Sequence, residues 1–139
     1  MSRLLRFLSL LLGVLMFAFG ILKFFQPFHG WFDVQIQQSH LPNQAILAGK
    51  LTEMLTGILF VLPSVVPSMR PRSRSLTLLA ACFLLFTQMA VAIYVHLQPG
   101  VPAGVLPLGI KPPIIPCTVL LLGILTAFEA TKQMRTQNA

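Results

Sequence analysis

Charged residues are scarce in this chain. Only 9% of its 139 residues are charged, whereas an ordinary soluble domain carries roughly 25%. Hydrophobic residues make up 55%. A soluble chain of this length could not bury so much apolar surface, because small domains bury the smallest fraction of their surface. The composition therefore excludes a soluble globular domain and predicts that a lipid bilayer is part of the solvent.

Cysteine is also scarce, and its placement excludes several kinds of site. Cys82 and Cys117 both lie inside apolar runs, which is not the pattern of a secreted, disulfide-rich domain. Their expected depths differ by more than about 10 Å, too far for a disulfide. The sequence has no CxxC pair and no Cys/His cluster with zinc spacing. It also lacks two histidines at matched depth for a bis-histidine haem, so no metal site is predicted.

Four long apolar runs are present, at residues 4–25, 45–66, 76–97 and 112–130. A helix needs about 20 residues to cross a bilayer, so each run is long enough to span it. The first run is too long for a signal peptide and no small-x-small cleavage site follows it, which favours a signal anchor. The predicted fold is all-α, a single membrane domain over 1–139 built as a bundle of four transmembrane helices.

Basic residues are distributed unevenly between the two ends of this bundle. Seven fall on one side of the membrane and three on the other: Arg3, Arg6, Arg70, Arg72, Arg74, Lys132 and Arg135 against Lys23, Lys50 and Lys111. Because cytoplasmic segments carry an excess of Lys and Arg, both termini are predicted to be cytoplasmic. Contact with anionic lipid head groups is a further role for this charge. No basic face is interleaved with aromatics, so nucleic acid is not an expected partner.

The two outer loops differ in character. In residues 26–44, the side chains of Phe28, Phe32 and Ile36 recur every four residues, which is typical of a short amphipathic helix on a membrane surface. The alternative is an ordinary loop that carries interfacial aromatic residues. Residues 99–113 contain five prolines and are predicted to be stiff and non-helical.

Ionisable residues inside the predicted spans are informative, because each costs a few kcal/mol to insert. Glu53 shares a helical stripe with Gly49 and Gly57, and small residues mark close helix packing, so Glu53 is expected to face the bundle interior. Lys23, at the outer end of the first helix, is expected to pair with it. Hydrogen bonding of Glu53 to His96 is the alternative.

These residues define a predicted polar cluster in the outer half of the bundle, made of Lys23, Lys50, Glu53, Gln88 and His96. Each also has a purely structural interpretation. The Lys23 side chain can extend to the membrane surface instead of pairing. For Lys50, and for Lys111 outside the cluster, extension to the surface or solvation is the preferred interpretation. Gln88 is expected mainly to hold two helices together. The cluster is therefore either a ligand site or a structural network.

Three segments carry a resemblance to a known family. LLRFLSLLLG at 4–13 and FGILKF at 19–24 resemble the first helix of DoxX-like membrane proteins, and GKLTEMLTG at 49–57 resembles their second. The matching positions are Gly20, Lys23, Gly49, Glu53 and Gly57. The resemblance implies a four-helix bundle in a bacterial inner membrane with a link to redox biology. Some relatives are subunits of a thiosulfate:quinone oxidoreductase, others partner with soluble thiol or superoxide enzymes, and distant eukaryotic relatives are chaperones for membrane receptors.

The expected function is an accessory subunit of a quinone- or thiol-linked redox complex. A quinone would bind in the outer polar cluster, with Glu53 or His96 hydrogen-bonded to a carbonyl. Any enzymatic role is expected to be as part of a quinone-linked oxidoreductase and not as a self-contained catalyst, because the chain lacks a cofactor ligand set. The alternatives are a non-enzymatic assembly factor or chaperone for other membrane proteins and, less favoured, a small transporter. Membrane or redox proteins are expected partners, and self-association is left open.

Overall fold

The computed structural model describes all 139 residues and is built from helices. Five α-helices follow in order: α1 Arg3–Leu22, α2 Phe28–Gln38, α3 Gln44–Val65, α4 Pro71–Leu97 and α5 Ile114–Asn138. Short 3₁₀ turns occupy Ala103–Val105 and Pro107–Gly109. The long helices α1, α3, α4 and α5 are each long and apolar enough to cross a membrane. The all-α class and the four apolar helices are thus as predicted, and α2 is added to them.

Helix ends differ from the limits of the apolar runs. Helix α4 begins at Pro71 rather than at residue 76, and α5 continues to Asn138 rather than ending at residue 130. Proline suits the first helical position, where its missing N–H leaves no intrahelical bond unmade. Polar residues end an apolar run, but they do not end a helix. The boundaries predicted from hydrophobicity were therefore too short at both of these ends.

Helices α1 and α3 pack closely through glycine. A Cβ atom added to Gly57 would lie 2.6 Å from the backbone nitrogen of Phe17 and 2.7 Å from the carbonyl oxygen of Gly13. At Gly20 it would lie 2.9 Å from the carbonyl oxygen of Lys50. Only glycine allows the two backbones to approach this closely. Gly57, from the small-residue stripe noted around Glu53, therefore lies at this interface, whereas Gly49 of the same stripe faces Phe32 of α2.

The long helices form a ring in the order α1, α3, α4, α5, in which each contacts its two neighbours. Its main core fills the end that carries the chain termini, with buried residues such as Leu12, Phe60 and Leu85. Many large apolar side chains point outwards, among them Val14 at 65% and Phe83 at 71% exposure. An outward apolar surface of this kind is suited to lipid.

Helix α2 lies across the opposite end of the ring, called here the α2 end. Phe32 and Ile36 are buried, whereas Phe28 and Trp31 are 40% and 38% exposed. The amphipathic helix considered for this segment is therefore present. Its apolar face packs against α3 and the first 3₁₀ turn. The helix was expected to rest on the membrane surface, and it instead covers the end of the bundle.

A Schellman motif ends α2 and turns the chain into α3. The Leu41 N–H donates to the carbonyl of Ile36, and the His40 N–H donates to that of Gln37. His40 has φ of 58°, the left-handed conformation that this motif requires after the last helical turn. The turn positions α2 back over the start of α3, which sets the geometry of the site below.

Candidate functional site

A cavity of about 390 Å³ lies at the α2 end of the bundle. All five helices and both 3₁₀ turns contribute to its wall, which is mainly apolar. Four residues of the predicted polar cluster line it: Lys23, Glu53, Gln88 and His96. Small-molecule sites commonly have volumes of about 300–1,000 Å³, with an apolar lining and a few polar groups. The cavity has these features.

Lys23 and Glu53 form an ion pair in the cavity wall. The Lys23 Nζ atom donates to both carboxylate oxygens of Glu53, at 2.5 and 2.7 Å. The two side chains are 20% and 13% exposed. The Lys23 ammonium also lies 4.3 Å from the centre of the Phe32 ring on α2. This is the expected pair, and the alternative bond from Glu53 to His96 is not formed. Pairing allows both charges to lie between apolar helices.

Lys50 is placed differently from the prediction. It is 3% exposed, and its Nζ atom lies 2.6 Å from Nδ1 of His29 on α2. His29 Nε2 lies 3.5 Å from a carboxylate oxygen of Asp33. The expectation that Lys50 extends to the surface was therefore wrong, because α2 folds over it and supplies a partner. Lys50, His29 and Asp33 form a separate series of polar contacts. Lys50 does not line the cavity.

Gln88 joins α4 to α3 through a residue that sequence reasoning missed. Its Nε2 atom donates to Oγ1 of Thr56 at 2.8 Å, and the Thr56 hydroxyl donates to the carbonyl of Thr52 at 2.7 Å. The role of holding two helices together is thus present. The other end of the amide is unused, since Oε1 of Gln88 is buried without a hydrogen-bond partner.

His96 is the penultimate residue of α4 and is 5% exposed. Its Nδ1 atom lies 2.8 Å from the carbonyl oxygen of Ala92. Its Nε2 atom is buried and has no partner. Buried polar atoms usually have a hydrogen-bond partner, so the unpaired atoms of Gln88 and His96 mark this wall of the cavity as a place where a ligand could bind.

The proline-rich loop closes the cavity from above together with α2. Gln35 of α2 donates to the carbonyl of Val105 in the first 3₁₀ turn. Lys111 donates to the carbonyls of Gln98 and Val101, so it stabilises the end of α4 and is not simply solvated as expected. Lysine near a helix C-terminus satisfies carbonyls that have no intrahelical donor. Nothing in the local sequence pattern indicated either long-range contact.

The cavity opens sideways between α3 and α4. Ala48 on α3 and Thr87 and Val91 on α4 all line it and are exposed. Below this level the Gln88–Thr56 hydrogen bond holds the two helices together. The exposed lining residues show that the opening faces the apolar outer surface of the bundle. A lipid-soluble molecule could enter through this opening without crossing water.

Other reactive groups lie away from the cavity. Both cysteines are free: Cys82 is buried near the Gly123 carbonyl, 3.6 Å from its Sγ atom, and Cys117 is exposed. The two thiols are thus unpaired, as expected from their depths. No group of three His, Cys, Asp or Glu side chains is positioned to hold a metal ion.

Comparison with other proteins does not identify a relative. The chain matches no protein-family model, no curated protein and no solved structure. The resemblance to DoxX-like proteins therefore stays a hypothesis from the sequence, and the function has to be argued from the geometry of the cavity.

Proposed function

We propose that this chain is a membrane subunit that binds a ligand of the quinone class beneath α2 and holds it for a redox partner. The observation that carries the proposal is the cavity itself, which is apolar, opens towards lipid and has two unpaired buried polar atoms, on Gln88 and His96. A quinone is lipid-soluble and has a flat ring with a polar oxygen at each side. A ligand of this class therefore matches the entry route and can place one oxygen near each unpaired atom, and in its reduced form those oxygens carry hydrogens to donate.

The aromatic side chains of the cavity support a ring-shaped ligand. Phe19 of α1 and Phe28, Trp31 and Phe32 of α2 all line it. Aromatic side chains pack against flat rings in stacked or edge-to-face arrangements, which add to the gain from burial. A linear acyl chain would gain only from burial and would leave the two unpaired polar atoms unsatisfied.

The ion pair has a supporting role in this proposal. Both oxygens of Glu53 already accept from Lys23, so the ligand contacts are assigned first to the atoms that have no partner. The pair instead fixes α1 against α3 in the wall and keeps this region electrically neutral. The ligand-facing roles pass to Gln88 and His96.

The orientation of the site is part of the proposal. Seven basic residues lie at the end that carries the termini and the α3–α4 turn, against three at the α2 end. The excess of positive charge on cytoplasmic segments supports cytoplasmic termini. The cavity would then lie in the outer leaflet of a bacterial inner membrane. The bacterial inner membrane, the DoxX-like family and the redox link are all taken from the sequence resemblance.

Ligand binding can be tested with the protein in lipid nanodiscs, titrated with a short-chain benzoquinone and its quinol. Trp31 is the sole tryptophan and lines the cavity, so its fluorescence should change on binding. Ala92→Leu places bulk in the cavity and should weaken binding by at least about tenfold. Ala90→Leu is the matched control, since Ala90 is exposed on α4 and does not line the cavity.

The result against the proposal is also specific. If neither oxidation state binds, or if both variants reduce binding equally, the cavity is not a quinone site. Native mass spectrometry of protein extracted with its own lipids provides an independent measurement. A stoichiometric membrane-protein partner without any small molecule would instead favour the assembly-factor function.

A further inference from the structure

The hydrogen bonds around Gln88 determine which end of its amide is free. The Thr56 hydroxyl donates its proton to the carbonyl of Thr52, so towards Gln88 it can only accept. The NH₂ group of Gln88 must therefore face Thr56, and the carbonyl oxygen Oε1 is the atom left without a partner. Oε1 can accept a hydrogen bond but cannot donate one.

The same reasoning applies to His96. Its Nδ1 atom faces the carbonyl oxygen of Ala92, which is only an acceptor, so Nδ1 carries the hydrogen. In the neutral imidazole the other nitrogen, Nε2, then has a lone pair and no hydrogen. Nε2 is the unpartnered atom. The two unsatisfied atoms on the α4 wall are therefore both acceptors.

Each donor atom in the cavity wall already has at least one acceptor, apart from the indole nitrogen of Trp31 at the exposed roof. The paired donors are Lys23 Nζ with Glu53, Gln35 Nε2 with Val105, Thr52 Oγ1 with Ala48, and Thr87 Oγ1 with Phe83. The buried wall atoms that lack any partner are thus both acceptors, on Gln88 and His96, whereas each buried donor atom of the wall has at least one partner. The wall favours a ligand that brings its own hydrogen-bond donors.

We propose that the site selects the reduced form of its ligand, a quinol, over the oxidised quinone. A quinol has two hydroxyl groups that can donate to Oε1 of Gln88 and Nε2 of His96, whereas a quinone has only carbonyl acceptors. This inference rests on the proposed function and adds the preferred oxidation state to it. The residues are eight apart on α4, about 12 Å along the axis, so the two donors must lie on opposite sides of one ring.

A preference of this kind has a redox consequence. Tighter binding of the quinol stabilises the reduced state and raises the midpoint potential of the bound couple above that of the free one. A tenfold preference corresponds to about 30 mV for a two-electron couple. The bound molecule would then be a poorer electron donor and its oxidised form a better electron acceptor than in free lipid.

The test compares three ligands of the same ring on wild-type protein in nanodiscs: a short-chain benzoquinol, the matching benzoquinone and the dimethyl ether of the quinol. The ether keeps the shape of the quinol but has no donor hydrogens. We expect the quinol to bind about tenfold tighter than either of the others. Dissociation constants from Trp31 fluorescence and from native mass spectrometry should agree.

Two variants locate the effect. Gln88→Met and His96→Phe each remove one acceptor at similar volume, and each should reduce quinol affinity while leaving quinone and ether affinity unchanged. Gln37→Met is the matched control, because Gln37 is exposed on α2 and outside the cavity. If a variant fails to fold, the three-ligand comparison on wild-type protein still decides the question.

The outcomes separate this inference from the function on which it rests. Quinone binding as tight as quinol binding, or tighter, would overturn the preference and leave the quinone-class site in place. An ether that binds as tightly as the quinol would show that shape, and not donated hydrogen bonds, sets the affinity, which also overturns it. If none of the three binds, the proposed function fails and the preference fails with it.

Discussion

Substitution of Lys23 by methionine should destabilise the bundle strongly, whereas removal of both charges should not. Lys23→Met leaves the Glu53 carboxylate without its only partner, in a wall that is otherwise apolar. Glu53→Leu leaves an ammonium instead, which can partly extend towards the membrane surface. The double variant leaves no charge behind. The three variants together form a double-mutant cycle.

The expected magnitudes follow from burial. Breaking a buried ion pair by removing one partner costs about 3–5 kcal/mol. Because the side chains of Lys23 and Glu53 are still 20% and 13% exposed, we place Lys23→Met at the low end, about 3 kcal/mol, and Glu53→Leu lower still. The double variant should cost about 1 kcal/mol or less, since replacement of an ion pair by apolar groups is often neutral. With Glu53→Leu at about 1–2 kcal/mol, the size of the coupling energy is about 3–4 kcal/mol.

Reversible unfolding in mixed micelles, followed by Trp31 fluorescence, measures these free energies. Lys132→Met is the control, because Lys132 is exposed at the other end of the bundle and should change stability by no more than about 0.5 kcal/mol. If the two single effects add to within about 0.5 kcal/mol in the double variant, the ion pair does not stabilise the fold and our account of the cavity wall is wrong.

Three further predictions concern packing, the buried lysine and topology. Gly57→Ala should reduce stability by about 1–3 kcal/mol in the same unfolding assay, because its Cβ would meet backbone atoms of α1. Gly49→Ala should cost less, since its Cβ would meet only the far end of the Phe32 ring on α2. Equal costs for the two variants would contradict this reasoning. Lys50→Met should reduce protection of α2 amides in hydrogen exchange by removing its bond to that helix, and unchanged protection would show that the bond does not hold α2. In a cysteine-free background, Gly104→Cys should react with an impermeant maleimide from outside the cell and Thr136→Cys only after lysis; the reverse pattern would invert the proposed orientation.

The Lys23–Glu53 pair shows how much of the site the sequence could predict. Two opposite charges near the same depth of neighbouring helices have few alternatives to pairing, since each is costly alone in lipid. The stripe that carries Gly57 indicated which face of α3 would pack closely against a neighbouring helix. Both inferences use only local periodicity and the cost of unpaired charge, and both features are present in the structure.

Lys50 and Thr56 show where that reasoning ended. Lys50 acquires a partner because the turn at His40 carries α2 back over α3, a long-range consequence of one left-handed residue. Thr56 looks like any other hydroxyl residue in an apolar run, and its bond to Gln88 depends on the relative rotation of two helices. Neither feature leaves a pattern along the chain.

The sequence alone determined the solvent of this protein and its main elements: an apolar run long enough to span a bilayer must form a helix there, because unpaired backbone groups are too costly in lipid. Tertiary structure decided the cavity, its sideways opening and the pairing of each polar atom. Those features depend on how the helices pack. That packing is set by many small contacts between residues far apart in the chain, and none of them is large enough to be read from the sequence.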